Sequence, residues 1–199
     1  MLKHHLRPAI VVTLVLCVIT GLIYPGVVTG LAQLFFPRQS RGSLVTSNGR
    51  VIGSALIGQQ FAGAQYFQPR PSNAGAGYDD TLSGGTNLGP TSAKLADTLI
   101  ASAVDSVVKN DGGTRGRIPS DMVTSSGSGL DPDISPDNAR LQVARVARAR
   151  GMDPGAVQSL VDRYTQGRQL GVLGERRVNV LRLNLALDSA QAPRGPAQR

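Results

Sequence analysis

The sequence predicts an α+β protein: one N-terminal transmembrane helix, then a single extracytoplasmic domain with a small sheet and about three helices. Three observations carry this expectation. Residues 8–36 hold no charged side chain. An Asn48-Gly49 pair separates two short apolar runs. Three later segments open with helix-capping residues. The expected boundaries are a cytoplasmic tail over 1–8, the membrane helix over 9–36, the outer domain over 37–188 and a disordered tail over 189–199.

The uncharged run reads PAIVVTLVLCVITGLIYPGVVTGLAQLFF. As one helix, residues 9–36 would be about 42 Å long, against a hydrocarbon core of about 30 Å. Eleven Leu, Ile and Val lie between Ala9 and Val27. Together they favour insertion by about 5 kcal/mol, with no charge opposing. The rival is a cleaved signal peptide, with Lys3 and Arg7 as its basic start and Gly30-Leu31-Ala32 as a small-x-small site. The run is much longer than the usual apolar region of about 7–15 residues, so a retained anchor is expected. Pro25-Gly26 is expected to bend the helix. Gly26 and Gly30 form a GxxxG spacing, which admits a closely packed helix and also arises by chance in a glycine-rich chain. Lys3 and Arg7 precede the run and Arg38 and Arg41 follow it, nearly a tie. The short N-terminal tail and the long following domain place the N-terminus inside and residues 37–188 outside.

Within the outer domain, SLVT and RVIGSALIG flank Ser47-Asn48-Gly49. Asn-Gly tolerates the positive φ of a type I′ turn, so residues 43–58 read as a hairpin. Residues 68–90 are loop-like, rich in Gly, Pro, Ser and Asn. A helix is expected over 90–110, capped by Thr91 or Ser92, with Leu95, Leu99, Ala103 and Val107 on one face. Ser135-Pro136 opens a second helix ending near Gly151, and Asp153-Pro154 a third ending near Gly167. The stretch RVNVLRLNLALD, 177–188, alternates as a strand does, with Leu181, Leu183, Leu185 and Leu187 on one face.

The composition excludes several chemistries. The formal net charge is +8, but Lys3, Lys94 and Lys109 are the only lysines and there is no Trp, so nucleic-acid binding is not expected. Both histidines, His4 and His5, precede the membrane run, and the lone Cys17 lies in it. Residues 37–188 therefore lack any His triad or His/Cys metal site. No GxxxxGK[ST] loop and no DKTGT-like motif is present. Asp79-Asp80 and Asp131-x-Asp133 are read as turn chemistry rather than a cation site. Two glycine loops, Ser83-Gly84-Gly85 and SSGSG at 125–129, offer backbone N–H groups to an anion. The helix after Ser135 carries Arg140, Arg145, Arg148 and Arg150, read as a solvated face.

The ordered segments GSALIGQQF (53–61), YFQPRPS (66–72), SGGTNLGP (83–90), 123–151 and VNVLRLNLALD (178–188), behind one membrane run, closely resemble the C subunit of the bacterial Kdp-type, high-affinity potassium-transporting P-type ATPase. Arg176 departs from the family, which commonly has Pro there. The resemblance implies a complex with a channel-like potassium-binding subunit, an ATP-hydrolysing P-type subunit and a very small membrane peptide. It implies a non-catalytic subunit needed for assembly and activity, described as a catalytic chaperone that raises the pump's affinity for ATP. It makes Ser83, Gly84, Gly85 and Gln142 candidate nucleotide contacts, although LSGGT at 82–86 only partly matches the ABC signature LSGGQ. No cofactor of its own is expected; ATP is bound by the complex. ATP is cytosolic, and the expected topology places these residues outside. The expectation is therefore a structural role for the SGG loop and an indirect effect on ATP use.

Overall fold

The computed structural model describes residues 2–47 and 49–191. Asn48, and the expected tail from 192 onward, lie outside the described residues. The chain divides into two compact units, Met1–Ser54 and Ala55–Arg199.

The first unit is a long helix and a hairpin. α1 (Leu2–Val18), a π-helical turn (Ile19–Ile23) and α2 (Tyr24–Phe35) run without interruption. His5–Phe35 is long and apolar enough to cross a membrane, and none of it is buried within the chain. The π turn explains how the helix passes Pro25. Proline has no N–H and its ring collides with the carbonyl four residues back. Here Tyr24 N–H bonds Ile19 O, five residues back, which widens the ladder just ahead of the ring. Thr20 Oγ1 returns a hydrogen bond of 2.7 Å to Leu16 O. β1 (Leu44–Ser47) pairs antiparallel with β2 (Arg50–Ser54) as the Asn-Gly signal requires, with an irregularity at Val45/Thr46. Gly49 has φ +75°, the left-handed value that the turn needs.

The second unit packs helices on a small sheet. A π-helical segment (Lys94–Ile100) leads into α3 (Ala101–Asp111); then follow β3 (Asp133–Ile134), α4 (Pro136–Arg150), α5 (Pro154–Tyr164), β4 (Thr165–Gln166), β5 (Arg177–Asn179) and α6 (Val180–Gln191). The sheet is antiparallel in the order β3-β5-β4. Capping fixes α4 and α5. Ser135 Oγ accepts from Asn138 N, and Asp153 accepts from Ala156 N, each followed by proline at the first turn. Gly151, at φ +64°, ends α4. Phe67, Ile134, Val146, Val157, Val178, Leu183 and Leu187 form the heart of the core.

One expectation is corrected. The alternating stretch 177–188 is not one strand. Only Arg177–Asn179 is extended, and α6 follows it beside α3, α4 and α5. The buried positions are Val180, Leu181, Leu183, Asn184 and Leu187, while Leu185 is only half-buried. Positions 180, 183, 184 and 187 share one helical face, so packing of the 3.6-residue period overrides the leucine alternation. The helix expected over 90–110 runs from Lys94 to Asp111, and Ser92, one of its two expected caps, accepts from Leu95 N at 3.4 Å. Its face holds: Leu95, Leu99 and Ala103 are half-buried and Val107 is buried.

Gly129 is the described glycine of the second unit whose Cβ would come nearest to backbone. It has φ +69°, and a Cβ there would lie 2.5 Å from Gly84 O and 2.8 Å from Ala74 N. Gly129→Ala is expected to cost about 3 kcal/mol, from left-handed strain plus displacement of backbone. Urea unfolding of the full chain in detergent checks this; an unchanged midpoint would contradict the packing.

Candidate functional site

The segment 64–68 lies across α4 and α6 with little regular structure of its own, so its backbone groups need other partners. Side chains supply them. Asn184 Oδ1 accepts from Phe67 N at 2.9 Å, and Asn184 Nδ2 donates to Phe67 O at 3.0 Å. Gln142 repeats this one residue on: its Oε1 accepts from Gln68 N at 2.7 Å and its Nε2 donates to Gln68 O at 3.0 Å. Each side-chain amide thus completes the two-bond pairing that a neighbouring strand would offer. Arg145 Nη1 donates to Ala64 O and Tyr66 O at 2.7 and 2.9 Å, and Arg150 Nε to Gln65 O at 2.7 Å.

Gln142 has nothing left over. Its Oε1 also accepts from Arg145 Nη2 at 2.6 Å, and its Nε2 also donates to Asn138 Oδ1 at 2.6 Å. All four hydrogen-bonding positions of the amide are occupied inside the fold. The network continues at both ends. Asn138 Nδ2 donates to Asp121 at 3.0 Å, and Arg145 Nε to Asp111 at 2.6 Å in a pair with side chains only 11% and 9% exposed. No buried side-chain polar atom among the described residues lacks a partner.

The arginines of α4 therefore do not form one solvated face. Arg140 and Arg148 are exposed, but Arg145 and Arg150 turn inward onto the 64–66 backbone. Arg150 also pairs with Asp188 at 2.7 Å and stands 4.9 Å over the Tyr66 ring. Sequence reasoning could not find this clamp. Asn184 falls on the polar side of the leucine alternation, so the strand pattern places it in solvent and not in the core where it lies.

The two glycine loops come together. Gly84 N donates to Ser128 O at 2.8 Å and Ser83 Oγ to the same oxygen at 3.1 Å. A Cβ on Gly85 would stand 3.2 Å from Gly127 O. Gly84 N–H is thus spent on the neighbouring loop, and the glycines allow two backbones to approach. A groove of about 770 Å³ between α3 and α4 is lined in part by Gln142, Asn138, Lys109, Arg145 and Arg148, and by none of residues 83–85. Lys109 and Arg148 in it are exposed and form no ion pair among the described residues.

A second cleft holds Arg70, Asp121, Asp131, Asp133 and Arg177. Asp131 pairs with Arg70 at 3.2 Å and accepts from Asp133 N at 3.0 Å; Asp79 accepts from Thr81 N and Oγ1. These are turn and ion-pair roles, and no three candidate ligands cluster among the described residues. Burial, with the neighbouring Asp131 adding, raises the Asp133 carboxyl above its ordinary range against the pull of Asn179 and Arg177. Burial likewise raises the Tyr78 hydroxyl, which donates to Arg70 O. In the first unit, a Cβ at Gly26 or Gly30 would meet nothing within 4 Å.

Comparison with known proteins supplies a family. Residues 6–189 match the family model "KdpC: K+-transporting ATPase, c chain". The potassium-transporting ATPase KdpC subunit of Gemmatimonas aurantiaca is 64% identical over 192 residues, covering 96% of each chain. That of Rhodospirillum rubrum is 54% identical, covering 92% of this chain and 94% of its own. That of Mycobacterium tuberculosis is 52% identical, covering 94% and 99%.

Gln142→Leu removes partners from Gln68 N, Gln68 O and Asn138 Oδ1 at once. It is expected to cost about 3 kcal/mol with no nucleotide present, since each buried orphan costs about 1–3 kcal/mol. Chemical unfolding of the full chain measures this, and wild-type stability would show that the clamp is dispensable.

Proposed function

The chain belongs to the KdpC family, the c chains of K+-transporting ATPases, and we propose that it acts there as a non-catalytic accessory subunit that assembles and supports the pump. The 31-residue span anchors it in the membrane with the N-terminus in the cytoplasm. The second unit then stands on the outer face. Its partners are a channel-like potassium-binding subunit, an ATP-hydrolysing P-type subunit and a very small membrane peptide. Open Cβ directions at Gly26 and Gly30 support close approach by a partner helix there.

One observation carries the non-catalytic reading: the candidate nucleotide residues already have internal work. Gln142 is saturated by Gln68, Asn138 and Arg145, and Gly84 N is bonded to Ser128 O. A subunit built this way supports ATP use indirectly, by binding one conformation of the pump better than another. The alternative is a direct nucleotide-binding cofactor that forms a ternary complex with the pump subunit and ATP. The groove beside Gln142, where Lys109 and Arg148 have no ion pair among the described residues, favours it. It requires the second unit to be cytosolic.

Topology separates the two. In a Cys17→Ser background, Ser83→Cys is expected to react with a membrane-impermeant thiol reagent on intact cells. Reaction only after the membrane is broken, with full labelling of denatured protein, would reverse the orientation and favour the nucleotide reading.

A further inference from the structure

Between β4 and β5 the chain runs out to a small closed tip. Gln169 N donates to Leu173 O at 2.8 Å and Leu173 N to Gln169 O at 2.9 Å, so residues 170–172 form its end. Below it, Arg168 pairs with Glu175 at 2.9 Å. The tip carries Leu170, Val172 and Leu173, which are 90%, 73% and 56% exposed. Leu170 also has φ +51°, a left-handed backbone that suits Gly or Asn and penalises leucine. Neither its backbone nor its side chain gains anything from this chain. Leucine there contributes only if something else covers it.

We propose that this tip is a preformed anchor that inserts into an apolar socket with an acidic rim on a partner subunit of the same ATPase complex. The inference rests on the reading of the chain as an assembly subunit and names the surface it uses. Two features select a protein socket over a bilayer. The tip is closed by a pair of backbone bonds between Gln169 and Leu173, and such preorganisation favours a shaped pocket, whereas fluid lipid has no shape to match. The charge is also wrong for a lipid surface. Arg168 is neutralised by Glu175 and Arg177 by Asp133 at 3.1 Å, leaving Arg176 as the only cation of 168–177 without an ion pair among the described residues. One free guanidinium attracts an anionic membrane little, but it suits a carboxylate at a socket's edge.

The test co-expresses the chain with the other subunits and purifies the complex through a tag on the ATP-hydrolysing subunit. Leu170→Asn suits the left-handed backbone, so the variant chain alone should unfold no earlier than wild type. It should nevertheless co-purify at least about tenfold less well. Wild-type recovery would overturn the proposal. A second measurement attaches an environment-sensitive dye at Val172→Cys in the Cys17→Ser background. Its emission should shift to the blue only when the other subunits are present. A dye that stays water-exposed in the complex overturns the proposal. So does one already shifted in the chain alone in bilayers and quenched by nitroxide lipids, which would make the bilayer the occupant. If the wild-type chain itself fails to co-purify, the assembly reading falls and takes the anchor with it.

Discussion

Two side-chain amides, Gln142 from α4 and Asn184 from α6, hold the backbone of Phe67 and Gln68 between the two helices. The second unit depends on that clamp. Phe67 is fully buried, and its peptide groups would be orphaned in the core without the amides. The clamp also gives the helices a common register, because the bonded backbone groups belong to adjacent residues. Asp121, Asn138 and Arg145 extend it to the start of α4 and the end of α3. A network in which every member is satisfied is rigid and specific; one lost member exposes several others.

The clamp gives the quoted sequence segments a physical meaning. YFQPRPS at 66–72, the α4 run and the 178–188 run are distant in the chain, yet the first is bonded to the other two. Their shared presence therefore needs no ligand to explain it. The SGG and SSGSG loops pair in the same way, through Gly84 N and Ser128 O. What is left for partners lies at the margins: the uncovered apolar helix, the groove cations and the tip beyond β4.

Local chemistry was legible in the sequence where one residue decides the outcome. Ser135-Pro136 and Asp153-Pro154 started helices, Gly151 ended one, and the Asn-Gly pair marked the hairpin, whose Asn48 lies outside the described residues. The membrane-length helix was legible from its lack of charge. The last element was not, because leucines at every second position satisfy a strand template, while burial of Asn184 with Val180, Leu183 and Leu187 requires a helix. Nor was the inward turn of Arg145 and Arg150, since sequence spacing does not show which backbone carbonyls lack partners. The π turn ahead of Pro25 answers the expected disturbance with a change of hydrogen-bond register.

Gln142 and its neighbours are structural and already saturated, and hydrogen exchange of the full chain, with and without ATP, puts this to the test. The amides of Phe67 and Gln68 are expected to exchange only through global unfolding, at rates that ATP leaves unchanged. Rapid exchange of these two amides without nucleotide, slowed when ATP is added, would contradict a saturated clamp and place the nucleotide there.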